Sequence, residues 1–226
     1  MSFHIKHYET KEEWLKAKKD TIGGSSASSI NGRNPWKSNL DAYREIVGVK
    51  PPDNLDDDEA VQYGKEAEKH LRGLFALKHK ELEVIDPPIK GFDLIINDER
   101  TYMCGTLDGT LIEKSSGRKG VLEIKTADTT RSSAKETWRD GIPINYLIQV
   151  LHYLAITDYE FAFLFAELKY VVVDEKTGYR DDRSTLRCYE IIATDEDKKE
   201  LIKEEQAFYE NYIKVRKEPP LILPNL

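Results

Sequence analysis

The chain has 226 residues and a net charge of −7, with 34 Lys and Arg against 41 Asp and Glu, which excludes a protein that coats nucleic acid by bulk attraction. Any contact with a polyanion must therefore be local. The length suits one large domain over residues 1–226, and no apolar stretch is long enough to cross a bilayer, the longest being FAFLFA.

The first segment, MSFHIKHYET, lacks an apolar leader, so a soluble, cytoplasmic protein with no membrane partner is expected. Thr10 stands three residues before Glu13 in TKEEWLKAKK, the spacing of a capping box, and predicts a short first helix carrying Trp14 and Lys18. GGSSASSING reads as a tight turn entering a short helix, after which Ser38 caps NLDAYREIVG. From Asp57 to about Lys80 the apolar residues Val61, Ala67, Leu71, Leu74, Phe75 and Leu77 keep helical spacing. Five strands are then expected in one sheet: LEVID, FDLIIN, TYMCGT, DGTLIE and VLEIKT. Helices resume in SSAKETWRD and INYLIQVLHYLAIT, with Pro143 at or near the first turn of the latter. Strands FAFLFAEL, YVVVD and RCYEIIA precede a charged helix from about Asp195 to Lys217, which the tail EPPLILPNL cannot continue.

Charge is unevenly spread. DNLDDDEA and TDEDKKELIKEE are acidic, whereas Lys16, Lys18, Lys19, Arg33 and Lys37 cluster early and Arg131, Lys135 and Arg139 follow VLEIKT. This asymmetry permits a basic channel in an acidic body, although ordinary solvated helix faces give the same pattern. Two cysteines, Cys104 and Cys188, are too few for a disulfide framework or a four-thiolate metal site and are expected as buried, reduced thiols.

Asp108, Glu123 and Lys125 form a D-x14-E-x-K array. If VLEIKTA is extended, Glu123 and Lys125 share one face while Ile124 points into the core. If CGTLDGTLIE is its antiparallel neighbour, joined by the hairpin SSGRKG, Asp108 approaches Glu123 and two hard oxygen ligands meet where Mg²⁺ can sit. Glu68 lies upstream in YGKEAE, and Gln149 with Tyr153 forms QVLHY downstream. Read separately, these residues also suit plainer roles: surface ion pairs for the array, a helix-face charge for Glu68, an N-cap for Ser25, core packing for Tyr146 and Tyr153. His152 suits a buried structural histidine, and the tryptophans suit anchors, with DNA stacking an alternative for Trp36 in GRNPWKS.

The order GxxxE, D, ExK, QxxxY, together with WLKAK, IGGSSASSI and YLIQ, resembles the PD-(D/E)XK nuclease superfamily in its RecB-like branch, and more closely the lambda exonuclease and YqaJ-type viral recombinase family. The resemblance covers about the first two-thirds of the chain. It implies an α/β fold with a restriction-endonuclease-like core, a mixed central sheet flanked by helices. It also implies a Mg²⁺-dependent exonuclease, with Mn²⁺ as substitute and two ions per site, digesting linear double-stranded DNA 5′ to 3′ to leave a 3′ single strand. By the same resemblance Asp108, Glu123 and the Ile124 carbonyl hold one ion, Glu68 helps hold a second, and Lys125 orients or deprotonates the attacking water. Gln149 would donate to a phosphate oxygen, and Tyr146 or Tyr153 would contact sugar or phosphate. Lys18, Ser25 and Thr106 align with a 5′-phosphate pocket, where the lambda pattern has arginine and serine in place of Lys18 and Thr106, and proline in place of Leu107. Lysine binds phosphate without a bidentate fork.

The resemblance further implies a ring-shaped homo-oligomer, with a trimer favoured, a single-strand annealing protein as partner, and a phage or prophage setting. Two other functions suit the same residues: a structure-specific or DNA-processing endonuclease, and a DNA-end binder without chemistry.

Overall fold

The computed structural model describes residues 3–51, 57–174 and 176–223, so the first half of the acidic segment 53–60 and the last residues of the tail lie outside it. Along the chain run β1 (Phe3–Tyr8), α1 (Lys11–Lys18), β2 (Ile22–Gly23), α2 (Gly24–Ala27), α3 (Asn39–Ile46), α4 (Glu59–Lys78), β3 (Leu82–Ile85), β4 (Phe92–Asn97) and β5 (Met103–Gly105). There follow β6 (Gly109–Glu113), β7 (Lys119–Asp128), α5 (Ser132–Thr137), α6 (Ile144–Thr157), β8 (Phe161–Val173), β9 (Arg180–Ile191) and α7 (Asp195–Phe208), which runs into a π-helical turn, Tyr209–Ile213.

Local chemistry explains most helix starts. Thr10 and Ser38 accept hydrogen bonds from the Glu13 and Asp41 amides, Asp58 does so from Ala60 and Val61, and Thr194 forms a reciprocal capping box with Asp197. Pro143 stands at the cap of α6, one residue before its first turn. Differences from expectation have physical reasons. FAFLFAEL and YVVVD form one continuous strand, β8, because Lys169 between them offers no break. RCYEIIA is the end of a longer strand, β9, and the last helix tightens into its π-turn before Lys217. β1 has no clear alternation and is held as an antiparallel edge strand on β4. Among the described residues no helix is long and apolar enough to cross a membrane.

The strands expected in a single sheet divide between two. One has the order β1-β4-β5-β2, the other β3-β6-β7-β8-β9. In the second, β7 lies antiparallel to β6 and parallel to β8, the parallel connection being made through α5 and α6. Both faces are covered. Leu122 and Ile124 of β7 pack with Leu71 and Phe75 of α4, whereas Val121 packs with Val150 and Leu154 of α6. Alternation therefore sends Glu123 and Lys125 toward α6 and Ile124 into the α4 side of the core.

His152 of α6 is fully buried, with Nδ1 2.7 Å from Glu205 Oε1 on α7 and Nε2 2.8 Å from the Cys104 carbonyl on β5. It is structural, as one reading of the sequence expected. Cys104 is buried but Cys188 is exposed, which corrects the expectation for that thiol.

Burial alone lowers the His152 pKa, but the Glu205 charge, its hydrogen bond and the Cys104 carbonyl outweigh it, and the group titrates above its ordinary value. Its charged form therefore stabilises the fold below the unfolded value of about 6.5, and this contribution fades as pH rises through the folded value. The unfolding free-energy difference between the parent and His152→Gln, measured in urea, is expected to shrink from about pH 6 to about pH 9. A difference that grows with pH would contradict this linkage.

Candidate active site

The segment CGTLDGTLIE is not one strand. β5 belongs to the smaller sheet and β6 to the larger, and Asp108 occupies the bend between them. Gly109 pairs with Leu122 across β6 and β7, so Asp108 arrives beside Glu123. Its Oδ2 accepts a hydrogen bond from the Ile124 amide at 2.8 Å. On the α6 side, Lys125 Nζ lies 2.6 Å from Glu123 Oε1. Gln149 Nε2 donates to the same oxygen at 2.7 Å and to Tyr153 Oη at 3.0 Å. The Lys125 ammonium also faces the Tyr146 ring, 5.1 Å from its centroid.

Burial dominates the electrostatics. Asp108 is held well above the ordinary carboxylate range, first by burial and then by the Glu123 charge, which together outweigh Lys125 and the Ile124 amide. Burial raises Glu123 as well, despite Lys125. Burial pulls Lys125 down, but Glu123 and Asp108 more than reverse that and hold it above its usual value.

The donor set suits a hard divalent cation, since it consists of carboxylate oxygens and a nearby main-chain carbonyl. Glu123 Oε2 is buried without a hydrogen-bond partner, an orphaned acceptor that a cation would satisfy. Among the described residues, no three His, Cys, Asp or Glu side chains converge as a ready ligand cluster. Glu68 explains part of this: it comes from α4, across the sheet from α6, and its Oε1 accepts a hydrogen bond from Arg72 at 2.8 Å. Arg72 was not among the residues the sequence singled out. It also donates to the Asp108 carbonyl, and its position one helical turn after Glu68 was the available signal.

The structure brings the other candidates into one neighbourhood by a different route. β2 and β5 pair in parallel, Gly23 opposite Cys104, so the chain leaves the two strands toward Ser25 and Thr106 on adjacent paths. Lys18 lies against Gly23, with its ammonium 4.1 Å from the centroid of Trp14, and burial holds its pKa below the ordinary value. Ser25 is exposed on α2, whose cap is Gly23, and the Thr106 hydroxyl donates to the Asp93 carbonyl at 3.2 Å.

Both hydrogen bonds donated by Gln149 Nε2 go to protein acceptors, Glu123 and Tyr153, so it braces Glu123. Tyr153 is buried, its ring filling the space above Gly24 and Gly105. Tyr146 is half-buried and, with the buried Trp138 and the exposed Trp36 and Arg131, lines a cavity of about 350 Å³. The expected basic channel is partly neutralised, because Arg33 pairs with Glu204, Lys37 with Glu45 and Arg139 with Asp140.

Residues 13–160, which contain every candidate above, match the model of the YqaJ-like viral recombinase domain. A curated relative, the uncharacterized protein YqaJ of Bacillus subtilis (strain 168), is 28% identical over 153 residues, which is 67% of this chain; the match spans only 44% of the relative's length. Among solved structures, an alkaline exonuclease, LHK-Exo, from Laribacter hongkongensis superposes with a TM-score of 0.62 at 19% identity, covering 91% of this chain and 95% of that one. The same protein in complex with dAMP gives a TM-score of 0.62 at 20% identity, over the same shares of the two chains. A phage related exonuclease from Haemophilus somnus 129PT gives 0.52 at 15% identity, covering 89% and 99%. These structural likenesses establish the α/β fold.

A methyl group on Gly24 or Gly105 would stand 2.6 Å or 2.7 Å from the Tyr153 ring. Either Gly24→Ala or Gly105→Ala is expected to cost about 1–3 kcal/mol of stability by overpacking, read from denaturant unfolding. A variant as stable as the parent would show that the ring is free to move away.

Proposed function

The chain belongs to the YqaJ-like viral recombinase domain family, and on that premise we propose that it is a metal-dependent deoxyribonuclease, an exonuclease acting on ends of linear double-stranded DNA. The observation that carries this reading is the buried Glu123, its Oε1 anchored by Lys125 and Gln149 and its Oε2 without a partner, beside the buried Asp108. Asp108, Glu123 and the Ile124 carbonyl would hold one Mg²⁺ or Mn²⁺, and Glu68 would help hold a second. When bound, such ions lower the pKa of water and offset the charge that builds on phosphate oxygens during phosphodiester hydrolysis.

The side chains supply the rest. Lys125, fixed on Glu123, orients the attacking water, whose oxygen bonds to phosphorus as the bond from phosphorus to the sugar oxygen breaks, with the water's proton passing to solvent and the leaving oxygen taking one from solvent. Gln149 holds the Glu123 carboxylate against α6, and Tyr146 shields one side of the ammonium. Lys18, Ser25 and Thr106 form the 5′-phosphate pocket, with Tyr153 packed between their segments and the carboxylates. Digestion then runs 5′ to 3′ and leaves a 3′ single strand for an annealing protein. The working form is a homo-oligomeric ring, a trimer in the favoured arrangement, within the cytoplasm of a bacterial host. Two proteins of similar fold are named as exonucleases, LHK-Exo of Laribacter hongkongensis and the phage related exonuclease of Haemophilus somnus 129PT, which supports this activity over a structure-specific endonuclease or a DNA-end binder without chemistry.

Asp108→Asn is expected to abolish Mg²⁺-dependent loss of a linear duplex, and Lys125→Met to slow it by about 100-fold or more, as when one transition-state donor is removed. A closed circular duplex should survive the parent enzyme. Undiminished degradation by purified Asp108→Asn would defeat the site assignment, and rapid cutting of the circle would replace exonuclease by endonuclease. A 5′-phosphate end should be digested faster than a 5′-hydroxyl end, with Lys18→Ala narrowing the gap; equal rates on both ends would remove the pocket.

A further inference from the structure

A buried cation stands behind the candidate carboxylates. Arg72, on α4, is only 7% exposed. Its Nη1 donates to Glu68 Oε1 at 2.8 Å and also to the Asp108 main-chain oxygen. Its Nε lies 2.7 Å from Asp86 Oδ1, an ion-pair contact whose angle is too poor for a hydrogen bond. Removing a guanidinium from water is costly unless acceptors surround it, and here they come from three separate segments: α4, the end of β3 and the bend at Asp108.

The placement of these contacts matters more than their number. Glu68 comes from α4 and Asp108 from the bend before β6, and Arg72 touches both. Holding Oε1 of Glu68 fixes the rotation of that carboxylate and leaves Oε2 as the oxygen available to a ligand. Holding the Asp108 carbonyl fixes the bend from which its own carboxylate reaches the Ile124 amide. A lysine carries the charge without the fork that spans two acceptors.

We infer that Arg72 is a positioning residue of the metal centre, setting Glu68 and the Asp108 bend for a divalent cation. This rests on the metal-dependent reading above. A plain structural strut would stabilise the fold without altering affinity for the ion, so the two roles separate by measurement. Outer partners that orient metal ligands are worth about 10–100-fold in metal affinity when removed.

The test is Mn²⁺ titration of the purified full chain, followed by electron paramagnetic resonance, for the parent, Arg72→Gln, Arg72→Lys, Glu68→Gln and the Arg72→Gln, Glu68→Gln double variant, with thermal unfolding measured alongside without metal. Arg72→Gln should weaken Mn²⁺ binding by about 10–100-fold, Arg72→Lys by less, and the double variant should fall well short of the product of the two single losses. Nuclease turnover at saturating Mn²⁺ should recover more than turnover at low Mn²⁺. Affinity within about twofold of the parent in a destabilised Arg72→Gln, or strictly multiplicative losses, would reduce Arg72 to a strut. If Arg72→Gln does not fold, Arg72→Lys decides the matter by the same readout. A parent chain that binds no Mn²⁺ would instead defeat the metal reading itself.

Discussion

Glu123 is a carboxylate with 1% exposure near the middle of a β-strand, and much of the surrounding structure follows from accommodating it. The effective penalty for moving such a charge out of water is several kcal/mol. Lys125 and Gln149 meet it on one oxygen, and the other oxygen is left unsatisfied. Gln149 is in turn held by Tyr153, whose ring needs two glycines, Gly24 and Gly105, to stand where it does. A single buried anion thus fixes a helix face, an aromatic ring and two backbone segments of the other sheet.

The division of the strands into two sheets gives this arrangement its second half. Because the chain leaves the smaller sheet after β5 and enters the larger at β6, Asp108 falls in the bend rather than within a ladder. A bend residue keeps its carboxylate free of strand alternation and able to reach the Ile124 amide. Its carbonyl remains open to Arg72 from α4. The parallel pair β2 and β5 places Ser25 and Thr106 next to the same bend, so the phosphate-binding candidates and the carboxylates share one structural origin. An acidic chain confines any attraction for DNA to such a place, since several of the basic residues elsewhere are already paired.

Much of this was legible in the sequence for identifiable reasons. Alternation in VLEIKTA announces the faces of Glu123 and Ile124, and short polar residues at Thr10 and Ser38 announce caps through purely local hydrogen bonds. The helical spacing of Leu71 and Phe75 announces the face of α4 that covers the sheet. What remained hidden depends on long-range contact. β1 is an edge strand fixed only by its partner, and the change of sheet between β5 and β6 leaves no trace beyond Gly105 and Gly109. QVLHY named Gln149 and Tyr153 correctly as a pair, but their inward direction appears only once Glu123 is known to be buried beneath them. Arg72 stayed hidden because its acceptors are 4, 14 and 36 residues away in the chain, so a helix wheel reveals only the first.

The central claim is that the unpartnered oxygen of Glu123 faces a divalent cation shared with Asp108. Anomalous diffraction from crystals soaked in Mn²⁺ measures this directly. A peak is expected about 2.1 Å from Glu123 Oε2, from an Asp108 carboxylate oxygen and from the Ile124 carbonyl. Manganese bound only elsewhere on the chain, with Glu123 Oε2 turned to a protein donor, would contradict the account.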